Sequence, residues 1–165
     1  MDDDRAVVER QLGRRPRAFR LVARRCPFGR PAVTEQAPYD DDGNPFPTTY
    51  YLTCPHLVAA VSRLEAAGGV ERWGQRAATE PELSASLAAA TTEQRALRLE
   101  LAGGYAGPDV GTSLALGIGG AARPEQLKCL HAHVAYALAR PGYRLGDAIL
   151  SEVEAPWPAS ACCTP

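Results

Sequence analysis

An Asp-Gly step at Asp42-Gly43 lies in the N-terminal third of the chain and limits how that region can fold. Asp-Gly pairs favour tight turns, because glycine adopts positive φ angles at no steric cost. Three segments around this step have the short, β-like character of strands: residues 19–25, 32–37 and 46–52. Since the connections between them are short, the sequence predicts a small antiparallel meander over residues 18–53.

Most of the remaining chain is rich in Ala, Leu, Glu and Arg, which favour helices. One short helix is predicted ahead of the meander, over residues 3–12. Six more are predicted after it, over residues 54–67, 70–76, 80–90, 93–101, 124–139 and 143–153. The predicted fold class is therefore α+β, with several helices packed on the small sheet in a single domain over residues 1–153. Three prolines mark residues 154–165, which we predict to be a flexible tail.

The composition excludes several classes of protein. Hydrophobic residues make up 45% and charged residues 22% of the chain, as in globular proteins. The net charge of -1 gives no overall attraction to nucleic acid or to anionic membranes. No apolar run is long enough to cross a bilayer, and the acidic N-terminus is unlike a signal peptide. We therefore expect a cytoplasmic protein, in which five cysteines are more typical of free thiols or metal ligands than of disulfides.

The segment Lys128-Cys129-Leu130-His131-Ala132-His133 places one thiol and two imidazoles within six residues. Two Cys-Pro pairs lie upstream, at Cys26 and Cys54, and His56 follows the second pair directly. Every histidine of the chain is thus close to a cysteine. Thiol and imidazole groups bind transition metals and act as nucleophiles and bases, so this clustering predicts a metal-centred or thiolate-centred site.

Helical geometry suggests which of these groups cooperate. If residues 124–139 form a helix, Cys129 and His133 share one face, whereas His131 lies about 160° away from Cys129. The predicted metal ligands are therefore Cys26, Cys54, Cys129 and His133. Zinc and an iron–sulfur cluster both suit thiolate-rich ligands. In the alternative interpretation each cysteine is a small packing residue and each histidine has a separate structural role.

Cys54 is the best candidate for a nucleophile. Thr53 and Pro55 predict that a helix begins here, and the unpaired N–H groups of a first turn lower the pKa of a thiol. His131 or His133 would then act as the acid or base, and we select Cys54 and His131 as the catalytic pair. The alternative is that this segment is only a helix cap with a buried cysteine.

A glycine-rich loop precedes the Cys-His segment and is a second candidate site. Glycines allow close backbone approach, and helix N-termini attract anions. The residues predicted to bind a small anionic ligand are Gly117, Gly119, Gly120, Arg123 and Lys128. The spacing matches neither a dinucleotide fingerprint nor a P-loop, and a plain flexible connection is the alternative.

Four blocks of the sequence resemble the bacterial domain-of-unknown-function family 501 (DUF501). The blocks are residues 24–31, 45–55, 117–120 and 128–133, and the similarity extends over about residues 10–153. The matching family positions are Cys26, Cys54, Cys129 and His131, so the resemblance favours His131 over His133 as the partner of Cys129. The tail, with Cys162 and Cys163, departs from the family pattern.

The family brings no established activity. Its members are commonly encoded near a septum-formation initiator, an enolase and an exopolyphosphatase-type phosphatase. The resemblance therefore implies an alternative function, in which the protein is a non-catalytic interaction or regulatory module linked to cell division or phosphate metabolism and its cysteines are structural.

Overall fold

The computed structural model describes residues 3–164 and contains a three-stranded sheet and six α-helices. In chain order the elements are α1 (Asp4–Leu12), β1 (Phe19–Arg25), β2 (Pro31–Gln36), β3 (Tyr50–Leu52), α2 (Pro55–Ala66), α3 (Gly69–Thr79), α4 (Pro81–Ala102), α5 (His131–Ala139) and α6 (Arg144–Ser151). Two short 3₁₀ turns, Thr112–Ala115 and Ile118–Gly120, lie between α4 and α5. The predicted α+β fold class is confirmed.

The sheet is an antiparallel meander with the strands in chain order. Thr34 of β2 pairs with Val22 of β1 on one side and with Tyr51 of β3 on the other. All six residues of β2 are buried, because this central strand is covered on both faces. β3 is shorter than the predicted residues 46–52, since proline lacks an N–H group and Pro47 cannot continue the ladder.

The predicted turn at Asp42-Gly43 is present. The Asp40 carboxylate accepts hydrogen bonds from the backbone N–H groups of Asp42 and Asn44, both at 3.0 Å. Gly43 has a φ of 81°, which a residue with a side chain rarely adopts. This acidic run is therefore a self-capped turn between strands.

Helix α4 joins two segments that the sequence predicted as separate helices, residues 80–90 and 93–101. Its buried Arg98 donates to the Thr49 hydroxyl at 3.3 Å and to the carbonyl oxygens of Phe46 and Ser113 at 3.0 and 3.2 Å. One guanidinium group thus satisfies three acceptors on the segments that lead into β3 and out of α4. No helix within residues 3–164 is long and apolar enough to cross a membrane.

Helix α5 is the centre of the core. All of residues 132–138 are buried, and the helix packs on β3, α2 and α6. The close approach of α6 depends on Gly146, where an added Cβ would lie 2.7 Å from the Ala137 Cβ. A helix that is buried on every side has no solvent-exposed face. Dividing its residues into a core face and a solvent face therefore does not predict their environments.

The prediction that this helix begins near Pro124 is wrong, because α5 begins at His131. The Leu130 N–H, just before the first helical residue, donates to the Glu65 carboxylate of α2 at 2.7 Å. A side chain from another helix thus takes the place of a local cap. Residues 124–130 form turns instead, and Cys129 lies before the helix.

Candidate functional site

Three side chains meet where the end of α2 approaches the start of α5. Glu65, Cys129 and His131 each place one potential ligand atom within 4.8 Å of the others, and all three are partly buried. Within residues 3–164 no other set of three or more His, Cys, Asp or Glu side chains meets this condition. We call this set the Glu-Cys-His cluster.

The Glu65 carboxylate organises the cluster. Its Oε2 accepts the Leu130 N–H, while its Oε1 lies 3.2 Å from His131 Nδ1. One oxygen therefore fixes the start of α5, and the other faces the imidazole. The side chains of His131 and Glu65 are 27% and 24% exposed, so this pair is neither fully solvated nor closed off from small molecules.

The other imidazole nitrogen of His131 faces α2. His131 Nε2 lies 3.3 Å from the Val58 carbonyl oxygen and 3.2 Å from Ser62 Oγ. A carbonyl oxygen can only accept, so this contact favours a proton on Nε2. In the neutral ring the lone pair of Nδ1 then faces the Glu65 carboxylate. Two acceptors 3.2 Å apart require a proton or a metal cation between them.

Burial raises the pKa of the Cys129 thiol above its ordinary value. The backbone N–H groups of Ala132 and His131 act in the opposite direction, and the negative charge of Glu65 adds to the increase. The thiol is therefore protonated at neutral pH when no cation is near. A metal ion at the cluster would reverse this balance, because a coordinating thiol loses its proton.

A cavity of about 550 Å³ opens beside the cluster. Cys129 and His131 form part of its wall, together with residues of β3 and the first turns of α2, among them Tyr50, Leu52, Pro55 and Val58. Glu65 is not part of the lining. A small molecule with an apolar body can therefore reach the thiol and the imidazole from one side.

The glycine-rich loop lies against the cluster. A Cβ added at Gly119 would lie 3.6 Å from Cys129 Sγ and 2.9 Å from the Ala132 Cβ. The N–H groups of Gly117 and Gly120 donate to the carbonyl oxygens of Ala121 and Gly117 within the loop. Two of the N–H groups suggested for an anion are thus already used, and the side chains of Arg123 and Lys128 extend into solvent. Anion binding by this loop stays a prediction.

Cys26 and Cys54 do not join Cys129 in the cluster. Each lies in the core and contacts a cysteine of the C-terminal segment instead. Cys26 Sγ is 3.9 Å from Cys162 Sγ, and Cys54 Sγ is 4.0 Å from Cys163 Sγ.

The first-turn N–H groups of α2 act to lower the pKa of Cys54, as expected, but the net shift is in the opposite direction. Burial raises the pKa of this thiol to about 11, which outweighs the opposing N–H groups of Leu57 and His56. The nearby Cys163 raises it further. Cys54 is only 2% exposed, so the cost of burying a thiolate exceeds the benefit of the helix terminus. The selection of Cys54 as nucleophile therefore loses the argument on which it was based.

His133 lies outside the Glu-Cys-His cluster. It is fully buried, and its Nδ1 is 2.7 Å from the Tyr143 hydroxyl of the loop before α6. Burial lowers the pKa of His133 to about 4. Cys129 and His133 would share a helix face only if the helix included residue 129, and α5 begins at His131. The structure instead brings His131 to Cys129, as the family resemblance implied.

Glu65 is the member of the cluster that the sequence did not reveal. It is an ordinary acidic residue near the end of an amphipathic helix, separated from Cys129 by more than sixty residues. Glu65 reaches Leu130 and His131 only because α2 packs against the start of α5. The residues directly after Pro124, Glu-Gln-Leu-Lys, favour a helix, so the sequence carries no local signal that the helix begins late.

No curated protein and no solved structure matches the chain. A family model described as "Protein of unknown function (DUF501)" matches residues 22–151. The match covers most of the 165-residue chain, includes the whole Glu-Cys-His cluster and ends before the two C-terminal cysteines. The resemblance seen in the sequence is thereby confirmed, and the chain belongs to the DUF501 family of proteins of unknown function.

Proposed function

We propose that Glu65, Cys129 and His131 bind one zinc ion, with a coordination position left open towards the cavity. The observation that carries the proposal is the pairing of His131 Nδ1 with Glu65 Oε1 at 3.2 Å, while Nε2 faces a carbonyl oxygen. This arrangement leaves two acceptors facing each other, and either a second ring proton or a metal cation between them satisfies both. The adjacent Cys129 thiol adds a third ligand atom, which favours the metal.

The donor set supports zinc. Zinc accepts thiolate, imidazole and carboxylate ligands, and its catalytic sites have three protein ligands and one open position. With bonds of about 2.0 Å to nitrogen and oxygen, two tetrahedral ligands lie about 3.3 Å apart. The observed separation of Nδ1 and Oε1 is close to that value. An iron–sulfur cluster fits poorly, because the set contains a single thiol.

The surrounding contacts support the same assignment. A histidine that binds a metal commonly donates its second ring N–H to a carbonyl oxygen, which is the relation of His131 Nε2 to Val58. The second oxygen of Glu65 is held by the Leu130 N–H, which fixes the carboxylate. When bound, zinc lowers the pKa of a water ligand and polarises carbonyl or phosphoryl groups. We therefore infer a metal-dependent reaction, such as hydrolysis, on a molecule held in the cavity.

The test is the metal content of protein purified without oxygen or chelators. We expect about one zinc per chain and its loss in Glu65→Gln, Cys129→Ser and His131→Ala. Matched controls replace the same residue types elsewhere: Glu71→Gln, Cys163→Ser and His56→Ala. Replacement by cobalt should give a thiolate-to-cobalt charge-transfer band that the Cys129→Ser variant lacks. A protein that stays metal-free when zinc is supplied would contradict the proposal.

A second candidate is metal-independent chemistry of Cys129, with Glu65 orienting His131. The Glu65–His131 pairing is the observation that favours it, because nucleophile sites orient their base in this way. Alkylation of metal-free protein distinguishes the two. A Cys129 that reacts much faster than Cys163 at neutral pH, and slows in His131→Ala, favours the nucleophile. If Cys129 is unreactive and no metal binds, the better proposal is the non-catalytic interaction or regulatory module, linked to cell division or phosphate metabolism, that the family resemblance implies.

A further inference from the structure

Four cysteines outside the Glu-Cys-His cluster form two separate thiol pairs. Cys26, directly after β1, and Cys54, directly before α2, are 6% and 2% exposed. The tail thiols, which we define as Cys162 and Cys163, are adjacent in sequence and contact one core cysteine each, at 3.9 and 4.0 Å. All five cysteines of the chain are free thiols in this structure.

Other contacts hold the C-terminal segment against the domain. His56 Nε2 is 2.7 Å from the Ala155 carbonyl oxygen, and Trp157 packs on the core. Thr164 is 6% exposed, and its hydroxyl accepts from Gln11 Nε2 at 3.4 Å. Contacts on both sides of the tail thiols therefore fix their position, so the two thiol pairs are not the chance encounter of a free chain end.

The arrangement of sulfurs indicates pairs and not a metal site. Four thiolates around zinc must all lie within about 3.8 Å of one another, given bonds near 2.3 Å. Within residues 3–164 these four cysteines do not supply even three ligand atoms mutually within 4.8 Å. Each pair, by contrast, needs only a short approach to reach the disulfide bond length of about 2.05 Å.

We propose that Cys26–Cys162 and Cys54–Cys163 are two oxidisable pairs, which a small-molecule disulfide such as oxidised glutathione converts into disulfides that fasten the tail to the core. Cys163 is the exposed member and the point of entry. Its thiolate attacks one sulfur of the reagent, the reagent S–S bond breaks, and one reagent thiol leaves with a proton.

The second step closes the protein disulfide. The Cys54 sulfur attacks the Cys163 sulfur of the mixed disulfide as the Cys54 thiol loses its proton, and the second reagent thiol leaves with a proton. In total two protein thiols lose two electrons and two protons, and one reagent disulfide becomes two thiols. The same exchange, begun at half-buried Cys162, closes the pair with Cys26.

The disulfide between Cys54 and Cys163 would form close to the cavity. Thr53 and Pro55, the two neighbours of Cys54, both line the cavity beside the Glu-Cys-His cluster. A bond from Cys54 to the tail therefore restrains part of the cavity wall, although neither thiol pair contains a residue of the cluster. Oxidation of the two thiol pairs does not require zinc at the cluster.

The test treats full-length protein with oxidised glutathione without denaturant, followed by intact mass and peptide mapping under non-reducing conditions. We expect a mass loss of about 4 Da, two hydrogens per disulfide, and cross-linked peptides joining residues 26 with 162 and 54 with 163. Cys163→Ser should lose only the link to Cys54, and Cys162→Ser only the link to Cys26. The two variants alter tail residues and serve as controls for each other.

Three results would overturn the proposal. The first is stable glutathione adducts on the tail thiols without any internal link. The second is a bond between Cys162 and Cys163 themselves. The third is a zinc ion that is lost in both tail variants and retained in Cys129→Ser, which would make these four cysteines a metal site.

Discussion

His131 and His133 lie two residues apart on the same helix and have opposite environments. His131, at the first turn of α5, is 27% exposed and faces a carboxylate and a cavity. His133, half a turn further on, is fully buried against Tyr143. Two histidines of one largely enclosed helix therefore have separate environments. His131 reaches the cavity at the first turn, whereas His133 lies where Tyr143 and α6 cover the helix.

The largest expected contrast is between His131→Ala and His133→Ala. Removal of a zinc ligand should weaken zinc binding by more than about 100-fold, the upper end of the loss for an outer-shell partner. The same change at His133 should leave the zinc content of folded protein unchanged. It should instead lower the free energy of unfolding by about 3 kcal/mol, because it leaves a cavity and an unpaired Tyr143 hydroxyl.

Zinc titration and urea unfolding of both variants measure this contrast. If the zinc affinity falls equally in both, the assignment of separate roles to the two histidines is wrong.

The pH dependence of stability isolates His133. Its pKa is about 4 in the folded protein and about 6.5 in an unfolded chain. Between these values the unfolded chain binds a proton that the folded protein does not, so the free energy of unfolding falls as the pH is lowered. The total loss from this residue should be about 3 kcal/mol.

Urea unfolding between pH 7.5 and pH 4 measures this loss. The His133→Gln variant provides the control, since it lacks the titrating ring and should show a shallower decline. Parallel profiles for the two proteins would contradict the assigned pKa.

Gly119→Ala tests the packing around the first turn of α5. Gly119 has a φ of 71°, and an added Cβ would lie 2.9 Å from the Ala132 Cβ. We expect a loss of about 2 kcal/mol in the free energy of unfolding, from backbone strain and steric contact together. The control is Gly13→Ala, where φ is 68° and no atom lies within 4 Å. Equal losses in the two variants would mean that the contact near Cys129 has no energetic effect.

The smallest effect concerns the outer contact of His131. Ser62→Ala removes the hydroxyl 3.2 Å from Nε2 and leaves the Val58 carbonyl oxygen as its partner. Zinc affinity should fall about 10-fold, because an outer-shell contact orients the ring without binding the metal. Competition with a chromogenic chelator measures the change. Ser151→Ala, on the exposed face of α6, is the matched control, and a similar fall there would indicate a general effect.

Local signals in the sequence predicted much of the fold. The turn at Asp42-Gly43, the three strand positions and the start of α2 follow from glycine, proline and β-like composition, which act on neighbouring residues. The start of α5 did not follow, because its first N–H group is satisfied by Glu65 from a distant helix. When a residue of a distant helix caps the helix start, the sequence around that start contains no capping signal.

The sequence predicted only part of the candidate site, because residues that long-range contacts bring into the site carry no local signal. Cys129 and His131 were found because cysteine and histidine are scarce and close together, and the family resemblance selected His131. Glu65 is one of many acidic residues, and nothing nearby in the sequence distinguishes it. The pairing of Cys26 and Cys54 with the tail thiols also spans more than a hundred residues, so no local spacing encodes it.

The burial of α5 also determines how the site moves. Amide protons inside a helix covered by β3, α2 and α6 exchange with solvent only when the whole domain opens, so residues 134–138 should be the slowest to exchange. His131 is the first residue of α5, and Cys129 lies two residues before it. The positions of these two cluster residues therefore depend on the helix that we expect to unfold last. Ligands can therefore enter and leave the cavity through motions of the outer wall, while Cys129 and His131 keep their relative positions.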